Sequence, residues 1–366
     1  MEINLLQANN GDAIHLRTQD EAGCIRNILI DGGTKSTYIF KDKKGQMQAG
    51  ALKRLIADIR EREECIDLLI LTHVDDDHIG GILTWFEQET KEAQEETSQE
   101  APEEAPQVVK KVWFNSGKLI SAYFQREVQE EREANRLIVQ NDTGFDTSIK
   151  QGVTFEDYIE KNQIWDKRLI KNGDVIEMFG LQFTILSPSC EKLEKLLNNW
   201  EKEAPVTETA MVSDYSTDLK DLIRNDSFKE DTSVPNGSSI AFIVDDGDTK
   251  GMLLGDAHPQ PVINSLLDMG YSKQNPVKVD YVKLSHHGSK ANTNCDLLNM
   301  IQSGNFLISS DSSGHGLPDK QCLARIIKCN ANANLYFNYP ELIPRIFSAQ
   351  DHLDFPHFKV YDAQDM

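Results

Sequence analysis

No hydrophobic run in this chain approaches the ~20 residues that a membrane-spanning helix requires. The opening residues, Met1-Glu2-Ile3-Asn4-Leu5-Leu6, lack the basic flank and long apolar core of a secretory signal. Cysteine is sparse: six residues are scattered, with no C-x-x-C pair. That excludes a Cys-zinc motif, disfavours a disulfide framework, and suits free thiols in a reducing cytoplasm. Positive charge is in deficit, with 38 Lys and Arg against 59 Asp and Glu and a net charge of −21. A broad basic surface for non-specific nucleic-acid binding is thereby excluded. Histidine is missing altogether from Ile79 to Gly255, although the chain holds nine. There is no internal repeat and no linker between compositionally distinct halves. The 366 residues are therefore read as one domain carrying insertions.

Against these absences stands one dense stretch, Leu68-Leu69-Ile70-Leu71-Thr72-His73-Val74-Asp75-Asp76-Asp77-His78-Ile79-Gly80-Gly81. Its apolar start has the pattern of a fully buried strand. Its second part places two His and three Asp within six residues. No core accommodates so many ionisable groups unpaired, whereas neutral His and ionised Asp are good ligands for a divalent cation. The stretch reads as a strand ending in a metal-binding loop, with Gly-Gly turning the backbone into a helix.

Residues 3–31 read as a β-meander, with His15 as a surface residue of its alternating strand and a lysine-rich hairpin loop (Lys35, Lys41, Lys43, Lys44) following Asp31. The apolar spacing over 49–63 predicts a helix. After Gly81 a short helix is expected to give way to a flexible acidic insertion over 87–106. A charged helix is expected over 118–140, and a hairpin around Phe179-Gly180. A second insertion, helical then polar, is predicted over 190–235. Strands are expected at 239–244, 251–254, 278–284 and 305–310, and a last helix at 318–329. Four strands end in polar or ionisable clusters: Asp75-Asp77-His78, Asp256, His286-His287 and His315. Sites in α/β folds gather at strand ends, so these loops are expected to converge. Together they supply the parts of a binuclear hydrolytic centre, including one carboxylate able to bridge.

The order of these parts resembles the metallo-β-lactamase fold hydrolases, and within them the subgroup with H-x-D-x-D-H, here His73-x-Asp75-x-Asp77-His78. That subgroup includes the hydrolase domain of the DNA-internalisation competence protein and phosphorylcholine esterases. The resemblance extends over most of the chain, through Asn10-Gly11-Asp12-Ala13, Ile30-Asp31-Gly32-Gly33, Leu186-Ser187-Pro188, Asn236-x-Ser238-Ser239 with Gly255-Asp256, His286-His287-Gly288-Ser289, and Gly314-His315-Gly316-x-Pro318. It implies an αββα sandwich with two divalent metal ions, Zn²⁺ or Mn²⁺, at the sheet edge. One ion would take His73, Asp75 and Asp256. The other would take Asp77, His78, Asp256 and one of His286 or His287. His286 is preferred because it directly follows the strand, which leaves His287 for substrate. Many members place a further metal-binding His in the interval where this chain has none, which leaves the first ion short of a ligand.

The activity implied is a metal-dependent phosphodiesterase, with nuclease action first and a metal-bound hydroxide as nucleophile. Asp77 or Asp31 would orient that water, His287 or His315 would serve the phosphoryl oxygens or the leaving group, and Lys290 and Lys35 would touch the substrate backbone. A second expectation keeps the metals and takes a small phosphodiester, phosphocholine ester, cyclic nucleotide or lactone. A third is a catalytically weak binding or regulatory subunit, with the insertions as surfaces for a protein partner. A cytoplasmic location without membrane contact is expected.

Overall fold

Every residue of the predicted strand, β6 (Ile66–Ile70), is buried. In this computed structural model, which describes residues 1–96, 108–124, 147–201 and 213–366, β6 belongs to a five-stranded sheet of order β1-β2-β3-β6-β7. β1 (Glu2–Leu5), β2 (Ile14–Gln19) and β3 (Ile25–Ile30) form the expected antiparallel meander. β3 then runs parallel to β6, and β6 parallel to β7 (Val112–Trp113). A central parallel strand is covered on both faces, which is why Leu68 to Leu71 run apolar without interruption, while the buried Asp67 before them is paired with Arg26 and Lys110. The two-residue period still sorts its side chains. Ile28, Ile30, Leu68 and Ile70 enter the core between the sheets, while Leu29 and Leu69 face the helices outside.

The second sheet has the order β17-β16-β15-β13-β11-β10-β9-β8. Its strands are β8 (Val175–Met178), β9 (Leu181–Ser187), β10 (Ala241–Asp245), β11 (Lys250–Leu253), β13 (Tyr281–Lys283), β15 (Asn305–Ile308), β16 (Asn334–Phe337) and β17 (Lys359–Asp362). From β11 to β17 each neighbour is parallel. Phe183, Phe242, Val244, Leu253, Tyr281 and Leu307 meet the first sheet, and Ile243, Met252, Val282, Phe306, Leu335 and Phe337 meet the helices behind. Those helices include Pro259–Asp268 and Lys320–Cys329. Over the first sheet lie α1 (Lys35–Tyr38), α2 (Ala51–Glu61) and α3 (Asp76–Glu96), the middle one burying Leu52, Leu55, Ile56 and Ile59. Helices outside two face-to-face sheets make an αββα sandwich. Among the described residues, no helix is long and apolar enough to cross a membrane.

Several expectations need correction. Residues 87–96, read as the start of a flexible insertion, continue α3. Glu89 accepts a hydrogen bond from Trp85 Nε1 at 2.5 Å and pairs with Arg60, tying that turn to the fold. The remainder of that insertion, the 125–140 part of the expected charged helix and residues 202–212 lie outside the described residues. The strand expected over 278–284 is split: β12 (Val277–Lys278) pairs with β14 (Ile301–Gln302), and β13 begins at Tyr281. The helix at 320–329 is not the last, because the helices Ile343–Ile346 and Ala349–Asp354 follow it, and β16 and β17 extend the sheet beyond it. His15 is buried rather than on the surface, with Nε2 3.0 Å from Asn27 Oδ1. The lysine-rich segment does form a hairpin, β4 (Ile39–Lys41) with β5 (Met47–Ala49).

Candidate metal centre

The chain leaves β6 through Thr72-His73-Val74-Asp75 and enters α3 at Asp76, so Asp77 and His78 occupy the first helical turn. The positive end of the helix favours the carboxylates there. Gly80 and Gly81, expected to form the turn into the helix, lie inside it instead. Gly81 N donates to Gly33 O at 2.9 Å, and a Cβ at Gly81 would collide with the Gly32 carbonyl. Glycine is needed here for close approach, not for bending. Asp256 follows β11, and His286-His287 follow β13. Both histidines adopt positive φ, 48° and 54°. This region disfavours residues with a Cβ and costs roughly 1–3 kcal/mol each, so it persists only where the surroundings impose it.

Four histidines converge on Asp256, and each has its Nδ1 engaged outside the cluster. His78 Nδ1 donates to Asp31 Oδ2 at 2.8 Å, and His287 Nδ1 donates to Ser309 O at 3.1 Å. His73 Nδ1 lies 3.0 Å from Thr72 Oγ1, whose own proton goes to Asp31 Oδ2. His286 Nδ1 donates to Asn292 Oδ1 at 2.9 Å. The hydrogen-bond pattern therefore turns every Nε2 inward. The Nε2 atoms of His73, His78 and His287, with Asp256 Oδ1 and Asp12 Oδ1, are buried and have no hydrogen-bond partner. A buried polar atom left in this state is costly, and here five are gathered.

Distances divide the cluster about Asp256. On one side, His78 Nε2 is 3.4 Å from Asp256 Oδ1, and His287 Nε2 is 3.3 Å from Asp77 Oδ2 and 3.8 Å from Asp256 Oδ2. On the other, His73 Nε2 is 3.6 Å from Asp75 Oδ2 and 3.7 Å from Asp256 Oδ2, and His286 Nε2 is 3.8 Å from the same oxygen. Two ligand atoms about 2.1 Å from one zinc ion at a tetrahedral angle stand about 3.4 Å apart. The donor set fits divalent cations by spacing, by chemistry and by its unpartnered atoms. On the first side, one ligand atom from each of Asp12, His78, Asp256 and His287 lies within 4.8 Å of the other three.

Charge regulation follows from this crowding. Burial raises the Asp256 carboxyl, but the imidazoles of His78, His286 and His287 outweigh it and hold it well below the usual range. Burial likewise opposes ionisation of Asp77, yet His78 and His287 bring it down to about 2. Burial pushes His287 down, and Asp256, Asp12 and Asp77 more than reverse this, raising it to about 9. Without a metal, the carboxylates thus draw protons onto the rings of His78 and His287, in the place where a cation would sit.

The remaining expected site residues fall elsewhere. Asp31 is fully buried and accepts from Thr72 N, Thr72 Oγ1 and His78 Nδ1. It stands behind His78 and does not reach a reacting water. His287, expected to meet substrate, is the buried member of its pair, while His286 keeps a quarter of its side chain exposed. Lys290 is bound to Asp319 through both its backbone N and its Nζ, so it is not offered to a ligand. Lys35 is exposed at the start of α1. His315 is exposed on the loop whose Gly314 packs against the Asn10 side chain, and Asn10 Nδ2 donates to Asp77 Oδ2 at 3.2 Å. Sequence reasoning misses Asp12, which pairs with the buried Lys283 and stands 3.3 Å from His287 Nδ1. Its signal lies in the Asn10-Gly11-Asp12 turn, where the shape of the motif draws more notice than its charge.

The sandwich is of the metallo-β-lactamase fold. Residues 24–154, which contain His73 to His78, match the family model described as "Metallo-beta-lactamase superfamily". Among curated proteins, ComE operon protein 3 of Bacillus subtilis (strain 168) is 22% identical over 353 residues, covering 92% of this chain and 33% of that protein. The chain thus spans about a third of the length of this relative. Similar solved structures include the metallo-beta-lactamase fold protein YhfI from Bacillus subtilis, at 9% identity and a TM-score of 0.39 over 98% of this chain and 95% of that one. An isothiocyanate hydrolase from Delia radicum gut bacteria is 14% identical with a TM-score of 0.36, covering 99% of this chain and 97% of that one.

Proposed function

We propose that this chain is a two-metal phosphodiesterase, acting first on nucleic acid. The observation that carries the reading is the gathering of four inward-facing Nε2 atoms and the Asp75 and Asp77 carboxylates on either side of Asp256, three of those nitrogens being buried without a hydrogen-bond partner. His73, Asp75, Asp256 and His286 would hold one ion, and Asp77, His78, Asp256 and His287 the other. His286 then fills the place left by the histidine missing between Ile79 and Gly255, and each half-site receives two histidines. The Asp-rich set suits Mn²⁺ as well as Zn²⁺. When bound, the ions supply Lewis acidity and lower the pKa of water.

The protein's own groups do the rest. Asp31, Ser309, Thr72 and Asn292 hold the four Nδ1 protons outward, which keeps each Nε2 available as a donor. Asp77, its side chain about a fifth exposed, faces the opening and orients the nucleophile. His315, on the rim, protonates the leaving oxygen.

The resemblance of His73-x-Asp75-x-Asp77-His78 to the motif of the DNA-internalisation competence protein's hydrolase domain favours a nucleic-acid substrate. The net charge of −21 favours a small phosphodiester, phosphocholine ester, cyclic nucleotide or lactone, which needs no basic track. Cleavage of single- and double-stranded DNA, RNA, bis-nitrophenyl phosphate and lactones with Zn²⁺ or Mn²⁺ separates these classes. Phosphodiester cleavage lost in both Asp77→Ala and His286→Ala is expected, and activity surviving both changes would overturn the site. Cleavage of small esters with oligonucleotides untouched would reject the nuclease. We also read the chain as one hydrolase domain located in the cytoplasm, with 190–235 as an insertion.

A further inference from the structure

Residues 213–235, the second described part of the segment read as a partner surface, reach the metal cluster. We propose that Asp231, carried by this segment, is a positioning residue for His286, and that the segment thereby completes the first half-site.

Asp231 Oδ2 accepts from Asn236 Nδ2 at 2.8 Å and from Asn292 Nδ2 at 3.1 Å. Asn292 is fully buried, and its Nδ2 also donates to Asp256 O at 3.1 Å. An amide group has two donor hydrogens on one side and an acceptor oxygen on the other. With both hydrogens committed to Asp231 and the Asp256 carbonyl, Asn292 Oδ1 must face His286, where it accepts from Nδ1 at 2.9 Å. A flipped amide would set an N–H against the Nδ1–H. Asn236 Nδ2 is 3.4 Å from the same ring nitrogen, and its bond to Asp231 draws it away. Asp231 thus selects the tautomer in which His286 Nε2 points at Asp256 with a lone pair.

The carboxylate is itself fixed. Its Oδ1 accepts from Ser233 N at 2.8 Å, and its backbone N donates to Ala291 O at 3.1 Å. Upstream, Asp214 accepts from Lys320 N and Gln321 N, and Asp226 pairs with Arg325, fastening the segment to the helix Lys320–Cys329. His258 Nε2 lies 3.6 Å from Asp231 Oδ2, with Lys192 Nζ on its other ring nitrogen.

This inference rests on the two-ion reading, and metal content separates the two. Stripped protein would be reloaded with Zn²⁺ and titrated against a chromophoric chelator. Wild type is expected to show two sites. Asp231→Asn should weaken one of them by about 10–100-fold, the usual range for a partner behind a metal ligand, and leave the other unchanged. The stripped variant should keep the wild-type melting temperature within a few degrees. His286→Ala should lose the same site, and the double variant no more than His286→Ala alone. Asn292→Ala reads the same relay should Asp231→Asn fail to fold. Fewer than two sites in wild type would overturn the two-ion reading and this inference with it. Two unaltered sites in both Asp231→Asn and Asn292→Ala, or equal weakening of both sites with a lower melting temperature of the stripped protein, would overturn this inference alone.

Discussion

Asp31 Oδ2 lies 2.8 Å from His78 Nδ1 and also receives the Thr72 hydroxyl at 2.7 Å, so one buried carboxylate orients His78 directly and His73 through Thr72. It joins the end of β3 to the loop after β6 and holds histidines of both half-sites. A carboxylate behind a ligating histidine fixes the ring and raises its basicity.

Asp31→Asn is accordingly expected to lower zinc affinity by about 10–100-fold at both half-sites. Removing one partner of a buried charged network costs about 3–5 kcal/mol, so Asp31→Ala should also lose stability on this scale. Chelator titration and urea unfolding read the two effects. Wild-type affinity in Asp31→Asn would show that Asp31 serves the fold alone.

Proton and metal compete for His287. Its pKa is raised from 6.5 to about 9 in the folded, metal-free protein, so the folded state binds the extra proton. That stabilisation is fully present below pH 6.5 and is lost as pH rises through about 9. Asp77, at about 2, is ionised throughout this window. Metal-free protein should therefore melt at a lower temperature at pH 9 than at pH 6.5, while metal affinity rises over the same interval. Calorimetry with and without chelator tests both slopes. A metal-free melting temperature that climbs with pH would contradict the placement of His287 among carboxylates.

The fully buried pair of Lys283 and Asp12 gives a third expectation. Lys283→Met leaves Asp12 buried without its cation, a loss of about 3–5 kcal/mol. Adding Asp12→Leu should recover part of that loss in urea unfolding, because the stranded charge is gone. Metal affinity should stay low in the double variant, since Asp12 also stands against His287. Full additivity of the two losses would mean that the pair does not act as a unit.

His315 as proton donor predicts a dependence on the leaving group. His315→Ala should slow cleavage of a nucleotide ester by about 100-fold or more, and that of bis-nitrophenyl phosphate by little, since nitrophenolate departs without protonation. Metal content should be unchanged. Equal slowing of both substrates would remove His315 from the proton-transfer role.

Much of the architecture is legible in the order of residues. Continuous apolar runs at β3 and β6 mark strands covered on both sides, and the spacing of Leu52, Leu55, Ile56 and Ile59 marks α2. Legibility ends where local pattern and tertiary packing disagree. Residues 87–96 look featureless alone, yet α3 continues because Glu89 finds Trp85 and Arg60. β16 and β17 are short segments at one end of the sheet, β17 at its edge, whose strand character comes from pairing with β15 and with each other.

For the candidate site, the residue order alone points to the His and Asp side chains and to the strand ends that carry them. His73 to His78, Asp256 and His286-His287 announce themselves because ionisable groups crowd where apolar runs stop. Which atoms meet depends on how distant segments pack. Asp12 and Lys283 lie 271 residues apart, and Asp231 and Asn292 lie 61 apart. Single residues of that kind leave no periodic or local signature. Only the closing of two sheets over one core puts their charges and amide dipoles within hydrogen-bond range, where burial makes each partner obligatory.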